Sequence, residues 1–183
     1  LSHPDFLAAH SLMEVFAIIV AALVFFTGHG VQQAERSTSS MALGCAFLAV
    51  ALFDILHFLS YIGMPDLISP NTPHKAILFW LGGRIAAGLG LLAYVLLPDT
   101  PAPHSALRRH AWIGVMLVVV TASYALLRSP DLVPATYVAG VGLTPLKVGI
   151  EWGVFGFYLA IAALLYLRRT RITHCDFESL MLA

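Results

Sequence analysis

Ionisable side chains stand at helical spacing inside the most apolar stretches of this sequence. They are His10 with Glu14, Asp54 with His57, Lys147 with Glu151, and a single arginine, Arg84. Spacings of three or four residues place both members of a pair on one face of a helix. Ionisable groups within apolar spans are costly and usually functional. The pattern favours a site for a ligand, a metal ion or a proton; the alternative is a salt-bridge network that only fixes helix packing.

A metal ion is one of the ligands that these residues could take. The four candidate metal ligands are His10, Glu14, Asp54 and His57. Helix bundles present such pairs of histidine and carboxylate at metal centres, and this donor set suits zinc, iron, manganese or copper. Arg84 and Lys147 argue against a metal, because neighbouring cations repel it. Haem held between His10 and His57 is a less favoured alternative, so the cofactor stays open.

The elements that must position these residues are membrane-spanning helices. The chain has 183 residues, of which 59% are hydrophobic and 11% charged, whereas soluble domains carry about 25% charged residues. Runs of about 20 apolar residues cross a bilayer, and they do so as helices because lipid cannot satisfy the backbone. We predict an all-α integral membrane bundle of five transmembrane helices in a single domain, residues 1–183. The predicted spans are 10–29, 41–61, 76–97, 111–127 and 146–167.

The distribution of basic residues predicts the orientation of the bundle. Six basic residues fall on one side of the spans, namely Arg36, Arg108, Arg109, Arg168, Arg169 and Arg171. Three fall on the other side, namely Lys75, Arg128 and Lys147. Because cytoplasmic segments carry the excess of Lys and Arg, we expect the N-terminus outside and the C-terminus in the cytoplasm.

With this orientation, the polar pairs all belong to the outer halves of their spans. Spans one, three and five begin outside, and span two ends there, so seven polar groups reach a similar depth. We therefore expect one polar cluster at the outer end of the bundle. The inner halves carry almost no ionisable residue, which argues against a transport path through the domain.

The outer connections, residues 62–75 and 128–145, are rich in Pro and Gly. They are either a lid over the cluster or ordinary interfacial loops. Most of the histidines outside the spans, a group that includes His74, are expected to be solvated. Gly149 and Gly153 form a G-x-x-x-G pair on span five, which predicts either a homodimer contact or close packing within the chain.

Several function classes find no support in the sequence. Ten Lys+Arg balance ten Asp+Glu, so no net charge attracts nucleic acid. Cys45 and Cys175 form no C-x-x-C motif, which disfavours a disulfide framework or a zinc knuckle. No P-loop, nucleophile elbow or H-E-x-x-H signature is present, so we do not expect an enzyme.

Four ordered motifs resemble the third class of membrane-associated sensor (MASE) domains. They are H-S-L-M-E from His10, D-I-L-H-F-L-S-Y-I-G-M from Asp54, W-L-G-G-R from Trp80, and G-V-G-L-T-P-L-K-V-G-I-E from Gly140. The chain departs from the family at Gly88, the position nearest to a glutamate that usually follows the motif arginine by one turn. The motifs coincide with the polar residues of the expected cluster.

The resemblance implies a sensor domain in the inner membrane of a bacterium. The expected ligand-binding residues are His10, Glu14, Asp54, His57, Trp80, Arg84, Lys147 and Glu151. Such domains are expected to signal to a cytoplasmic output domain of the diguanylate cyclase or histidine kinase type, which this sequence lacks. We therefore expect the sensor portion of a longer protein, or a relative that acts through another subunit. The alternative is a metal- or haem-binding redox or accessory subunit of a larger membrane complex.

Overall fold

Five long helices make up most of the computed structural model, which describes residues 3–30, 38–97 and 105–168. The helices are α1 (His3–Gly30), α2 (Thr38–Leu59), α3 (Pro73–Leu96), α4 (Ser105–Arg128) and α5 (Pro145–Arg168). Each is long and apolar enough to cross a membrane, so the predicted all-α membrane bundle is confirmed. Each helix also begins before its predicted span, because backbone hydrogen bonding continues into polar residues that the apolar pattern leaves out.

The same four-residue pattern, Thr-Pro-x-Lys, begins both α3 and α5. The hydroxyl oxygen of Thr72 accepts the backbone N–H of Lys75 at 3.1 Å, and that of Thr144 accepts the N–H of Lys147 at 3.3 Å. Each threonine thereby caps a free N–H group of the first turn. The prolines at the first helical position lack an N–H and bring a φ angle suited to a helix. Both lysines are buried.

Helices α2 and α3 form the centre of the bundle. They pack extensively against each other, while α1 and α4 pack mainly on α2, and α5 packs on α3. Glycines of α3 permit this close approach. A Cβ atom built on Gly83 would lie 2.8 Å from Oδ1 of Asp54, and one on Gly90 would overlap the Cβ of Ala46.

The faces of α1 and α5 that point away from the bundle are largely apolar and exposed, as expected for surfaces that contact lipid. On α5, a Cβ atom built on Gly149 or Gly153 would contact no other part of the described chain within 4 Å. Of the two alternatives for these glycines, close packing against another part of the described chain is therefore wrong. One turn after Gly153, Phe157 of α5 fills the space beside Gly88 of α3, within 2.6 Å of a Cβ built there, so this position has no room for a longer side chain.

Hydrogen bonds from Lys75 organise the connection between α2 and α3. Its side chain is fully buried. The ammonium group donates to the carbonyl oxygens of Leu67 and Ser69, both at 2.8 Å, and to Oδ1 of Asn71 at 3.0 Å. All three of its donors are thereby used, which is what allows a charged group to be buried. The hydroxyl of Ser69 also donates to the carbonyl oxygen of Leu127 at the end of α4, at 2.6 Å.

His74 joins the second outer connection to the start of α3. This connection contains a short 3-10 helix, Pro130–Leu132, and a small hairpin of β1 (Tyr137–Val138) and β2 (Gly142–Leu143). The backbone N–H of Thr136 donates to Nδ1 of His74 at 3.1 Å. The protonated nitrogen is therefore Nε2, which donates to the carbonyl oxygen of Pro130 at 3.1 Å. The expectation that His74 is solvated is wrong, because both ring nitrogens bond within the protein.

Part of the evidence for orientation concerns residues that the structure does not describe. Arg36, Arg169, Arg171 and Cys175 lie outside the described ranges. The placement of the two termini on either side of the membrane stays a prediction.

Candidate functional site

The polar site begins where α1 meets α2. His10 and Glu14 occupy one face of α1, and Nε2 of His10 lies 3.9 Å from Oε1 of Glu14. The same oxygen lies 3.5 Å from Nε2 of His57 on α2. One nitrogen or oxygen atom from each of the three residues lies within 4.8 Å of the other two. Two imidazoles and one carboxylate therefore converge on a single point.

His57 is oriented by the backbone of a third helix. Its Nδ1 atom lies 2.8 Å from the carbonyl oxygen of Ala76 in the first turns of α3. A carbonyl oxygen only accepts hydrogen bonds, so Nδ1 carries a proton and donates. In the neutral ring, Nε2 then presents its lone pair toward Glu14. Ala76 contributes through its backbone, so no pattern of side chains could have revealed this contact.

Asp54 pairs with Arg84 rather than with His57. Nη2 of Arg84 donates to both carboxylate oxygens of Asp54, at 2.9 and 2.8 Å. Asp54 is 1% exposed and the arginine side chain 32% exposed, so the pair is buried on one side only. Tyr158 of α5 supports the same turn of α3, because its hydroxyl donates to the backbone carbonyl oxygen of Arg84 at 2.9 Å.

Trp80 connects the arginine to a second ion pair on α5. Nζ of Lys147 lies 2.6 Å from Oε1 of Glu151, one turn along the helix. The Trp80 ring lies close to both cations, with its centroid 5.8 Å from the Arg84 guanidinium carbon and 5.7 Å from Nζ of Lys147. Both distances fall within the range of cation–π attraction.

All eight residues predicted from the sequence thus fall into groups of contacts that follow one another across α1, α2, α3 and α5, which we call the polar series. It consists of three groups, which are His10–Glu14–His57, Asp54–Arg84, and Lys147–Glu151 with Trp80 between the last two. The four candidate metal ligands do not form one group. Asp54 is engaged by Arg84, and the remaining three converge without it.

A cavity of about 300 Å³ adjoins the histidine end of this series. Phe6, Tyr61 and Ala76 are among the residues that line it. The rings of Phe6 and Tyr61 lie beside His10, with centroids 6.0 and 4.5 Å from that of the imidazole. In the sequence, the aromatic lining of this cavity is indicated only by Tyr61, which stands one helical turn after His57 in the D-x-x-H-x-x-x-Y stretch.

Comparison with known families identifies the domain. The profile of the MASE3 family, described as a membrane-associated sensor domain, matches residues 1–183. The chain belongs to the MASE3 family. No curated protein and no solved structure matches it. As a MASE3 domain with five candidate spans, it is a multi-pass membrane protein with a sensory input role. Membership of a sensor family indicates a non-catalytic role, membrane embedding and an output partner.

Proposed function

We propose that this MASE3 domain is the input module of a signalling protein in the inner membrane of a bacterium. Its N-terminus lies outside and its C-terminus in the cytoplasm. A ligand binds in the polar series of contacts at the outer end of the bundle. Binding changes how α1 and α5 pack on the α2–α3 pair. Helix α5 then carries the change to a cytoplasmic output domain of the diguanylate cyclase or histidine kinase type, or to a partner subunit.

The observation that carries this proposal is the distribution of the polar residues over helices that pack separately. Among the described residues, α1 packs extensively only on α2 and α5 only on α3. The polar residues nevertheless run from α1 through α2 and α3 to α5. A ligand that contacts the two ends of this series binds one arrangement of α1 and α5 better than another. Differential affinity of this kind is what a ligand needs to shift a conformational equilibrium.

The charges of the series suit a switch better than a passive network. Arg84 and Glu151 keep about a third of their side chains accessible, at 32% and 35%, although both belong to candidate membrane spans. A ligand can therefore reach charged groups that already have partners, and exchange those contacts for its own. Buried ion pairs can often be replaced by apolar residues at no cost in stability, so a network that served only to fix packing would not need these charges.

Helix α5 is suited to carry the change across the membrane. Its outer end bears Lys147 and Glu151. At its other end, Nη1 of Arg168 donates to the carbonyl oxygen of Val95 near the end of α3, at 2.8 Å. Helix α5 thus contacts α3 near both ends, through Lys147 and Arg168, and in between through the Tyr158 hydroxyl. A displacement at the Lys147 end is transmitted along a continuous helix to the Arg168 end, about six turns away.

The open face of α5 also supports a homodimer as part of this proposal. Gly149 and Gly153 have no neighbour in the described chain, and the intervening Trp152 is 68% exposed. Small residues at this spacing permit close helix–helix contact in lipid. Two copies joined through α5 would bring two output domains together.

A reporter of output tests the proposal. We would join a diguanylate cyclase to the end of α5, express the fusion in bacteria, and measure cyclic di-GMP in cells with Arg84→Gln or Glu151→Gln. Each substitution unbalances one ion pair, so we expect a change of at least threefold in output, with the amount of membrane-inserted protein unchanged.

The matched control is Asp131→Asn, which removes one carboxylate from an exposed position on the 3-10 helix. Its output should equal that of the wild type. Wild-type output from both Arg84→Gln and Glu151→Gln would show that the polar series does not control signalling.

A further inference from the structure

We propose that His10, Glu14 and His57 form a binding site for one divalent transition-metal ion of the Zn²⁺ and Fe²⁺ class. This inference rests on the proposed function, because it names a ligand for one group of the same polar series. It assigns the ion to three ligands on two helices and leaves Asp54 out of the coordination sphere.

The spacing of the donor atoms fits such an ion. Zinc binds histidine nitrogen and carboxylate oxygen at about 2.0–2.2 Å, which in a tetrahedral site places ligand atoms about 3.3 Å apart. The Glu14 oxygen lies 3.5 Å from Nε2 of His57 and 3.9 Å from Nε2 of His10. The three ligand atoms lie within 4.8 Å of one another. Closing a tetrahedral site therefore needs a contraction of a few tenths of an ångström at Glu14 and of up to about 1.5 Å between the histidines, which side-chain rotation can supply.

The hydrogen bond to Ala76 prepares His57 for coordination. Metal-bound histidines almost always donate their second ring N–H to a carbonyl or a carboxylate, which fixes the ring and the tautomer. His57 makes this bond through Nδ1 at 2.8 Å. Its Nε2 atom is therefore left to act as the ligand, facing the other two donors.

His10 has a buried nitrogen that the protein leaves without a hydrogen bond. Its Nε2 atom is inaccessible to solvent and has no hydrogen-bond partner among the described residues. Buried polar atoms are rarely left in this state, because the loss of hydration costs about 1–3 kcal/mol. A metal ion between His10 and Glu14 would satisfy this atom.

The neighbouring cations do not oppose the site, because each already has its own carboxylate. Arg84 bonds to Asp54, and Lys147 bonds to Glu151. With both cations neutralised, Glu14 is the one carboxylate of the three in the series that has no Lys or Arg among the ion pairs formed by the described chain.

The chemistry of the donors selects the class of ion. Ca²⁺ and Mg²⁺ prefer sites built from oxygen ligands, whereas two imidazoles with one carboxylate suit zinc and iron. The carboxylate of Glu14 lies beside both histidine nitrogens, so it occupies the space that a porphyrin between them would need. Three protein ligands leave a coordination position open, and the cavity lined by Phe6 and Tyr61 offers a path to it.

Metal binding by purified protein tests the site. We would purify the full chain in mild detergent, remove metals with a chelator, titrate with Zn²⁺, and measure bound zinc by mass spectrometry and affinity by calorimetry. We expect one zinc per chain, and at least a tenfold loss of affinity in each of His10→Ala, Glu14→Gln and His57→Ala. Cobalt should give the visible absorption of a four- or five-coordinate ion with nitrogen ligands.

Two further variants serve as controls. His110→Ala removes an exposed histidine of α4, and Asp131→Asn removes an exposed carboxylate of the 3-10 helix. Both should keep the affinity of the wild type. Size-exclusion profiles and helical circular dichroism verify that each variant is folded.

Two outcomes would overturn the site. The first is that the wild-type chain binds no zinc. The second is that all three ligand variants bind zinc with the affinity of the wild type. Either would leave the proposed sensory function standing, since the reporter assay uses Arg84 and Glu151, which are not metal ligands. Conversely, stoichiometric zinc with unaltered reporter output would support a structural metal and contradict the sensory function.

Discussion

His57 on α2 is fixed by Ala76 on α3, whose carbonyl oxygen accepts the Nδ1 proton of the imidazole at 2.8 Å. Its other nitrogen, Nε2, faces Glu14 of α1 at 3.5 Å. A single ring therefore joins three helices at one level of the bundle. Helix α1 packs mainly on α2, and an ion bound to both His57 and Glu14 would strengthen that attachment.

Zinc should stabilise the folded domain, since an ion that binds only the native state raises the free energy of unfolding. At a free zinc concentration one hundred times the dissociation constant, the gain is about 2.7 kcal/mol. For a chain of this size we expect a rise in melting temperature of about 5 °C or more, measured by thermal unfolding in detergent. His110→Ala should show the same rise and His57→Ala none. An equal rise in His57→Ala would indicate that zinc binds elsewhere.

Breaking the ion pair between Asp54 and Arg84 should be costly. Asp54→Asn leaves the guanidinium without its counter-ion, and loss of one partner of a buried pair costs about 3–5 kcal/mol. Because Arg84 is 32% exposed, we expect about 3 kcal/mol or less, measured by denaturant or thermal unfolding. In a double-mutant cycle, Arg84→Gln should cost less in the Asp54→Asn background than in the wild type. Strictly additive losses would mean that the two residues do not interact.

Gly83 should be intolerant of a methyl group, although alanine is the better helix former. The added Cβ would lie 2.8 Å from Oδ1 of Asp54, and overpacking of this kind costs about 1–3 kcal/mol. The matched control is Gly114→Ala on α4, where nothing in the described chain lies within 4 Å of the new atom. There the higher helix propensity of alanine should stabilise by up to about 1 kcal/mol. Comparison of the two melting temperatures tests the close approach of α2 and α3, and equal effects would contradict it.

His74 should hold the second outer connection in place. His74→Phe keeps an aromatic ring but loses the bonds to Thr136 and Pro130, which leaves the hairpin attached by fewer contacts. We expect proteolysis of residues 130–144 to be several times faster than in the wild type, as measured by mass spectrometry of timed digests. His110→Ala should leave the rate unchanged. Resistance of His74→Phe to cleavage would show that other contacts hold the segment.

The sequence predicted the helices well because lipid imposes a strict rule on backbone hydrogen bonding. Long apolar runs must be helical there, and the number of such runs determines the bundle. The shared depth of His10, Asp54 and Arg84 also followed from the direction of each span. Both predictions depend only on how far along its helix each residue lies, and the sequence gives that position directly.

The partners within the site depend on helix rotation, which the sequence does not reveal. Asp54 and His57 lie on one face by spacing, yet one bonds to α3 and the other to α1 and to a backbone carbonyl. The role of Ala76 depends on a main-chain atom that every residue has. The burial of Lys75 and His74 depends on loop carbonyls whose positions arise only after the chain has folded.

The contact between Gly90 and Ala46 has a mechanical consequence. Where two helices approach so closely that one added carbon would overlap the other, neither can slide along or roll over its neighbour without collision. Helices α2 and α3 therefore act as a fixed frame, and α1 and α5 are the arms mounted on its two sides. Distances measured from probes on the frame to probes on each arm would separate movement of the input from movement of the output.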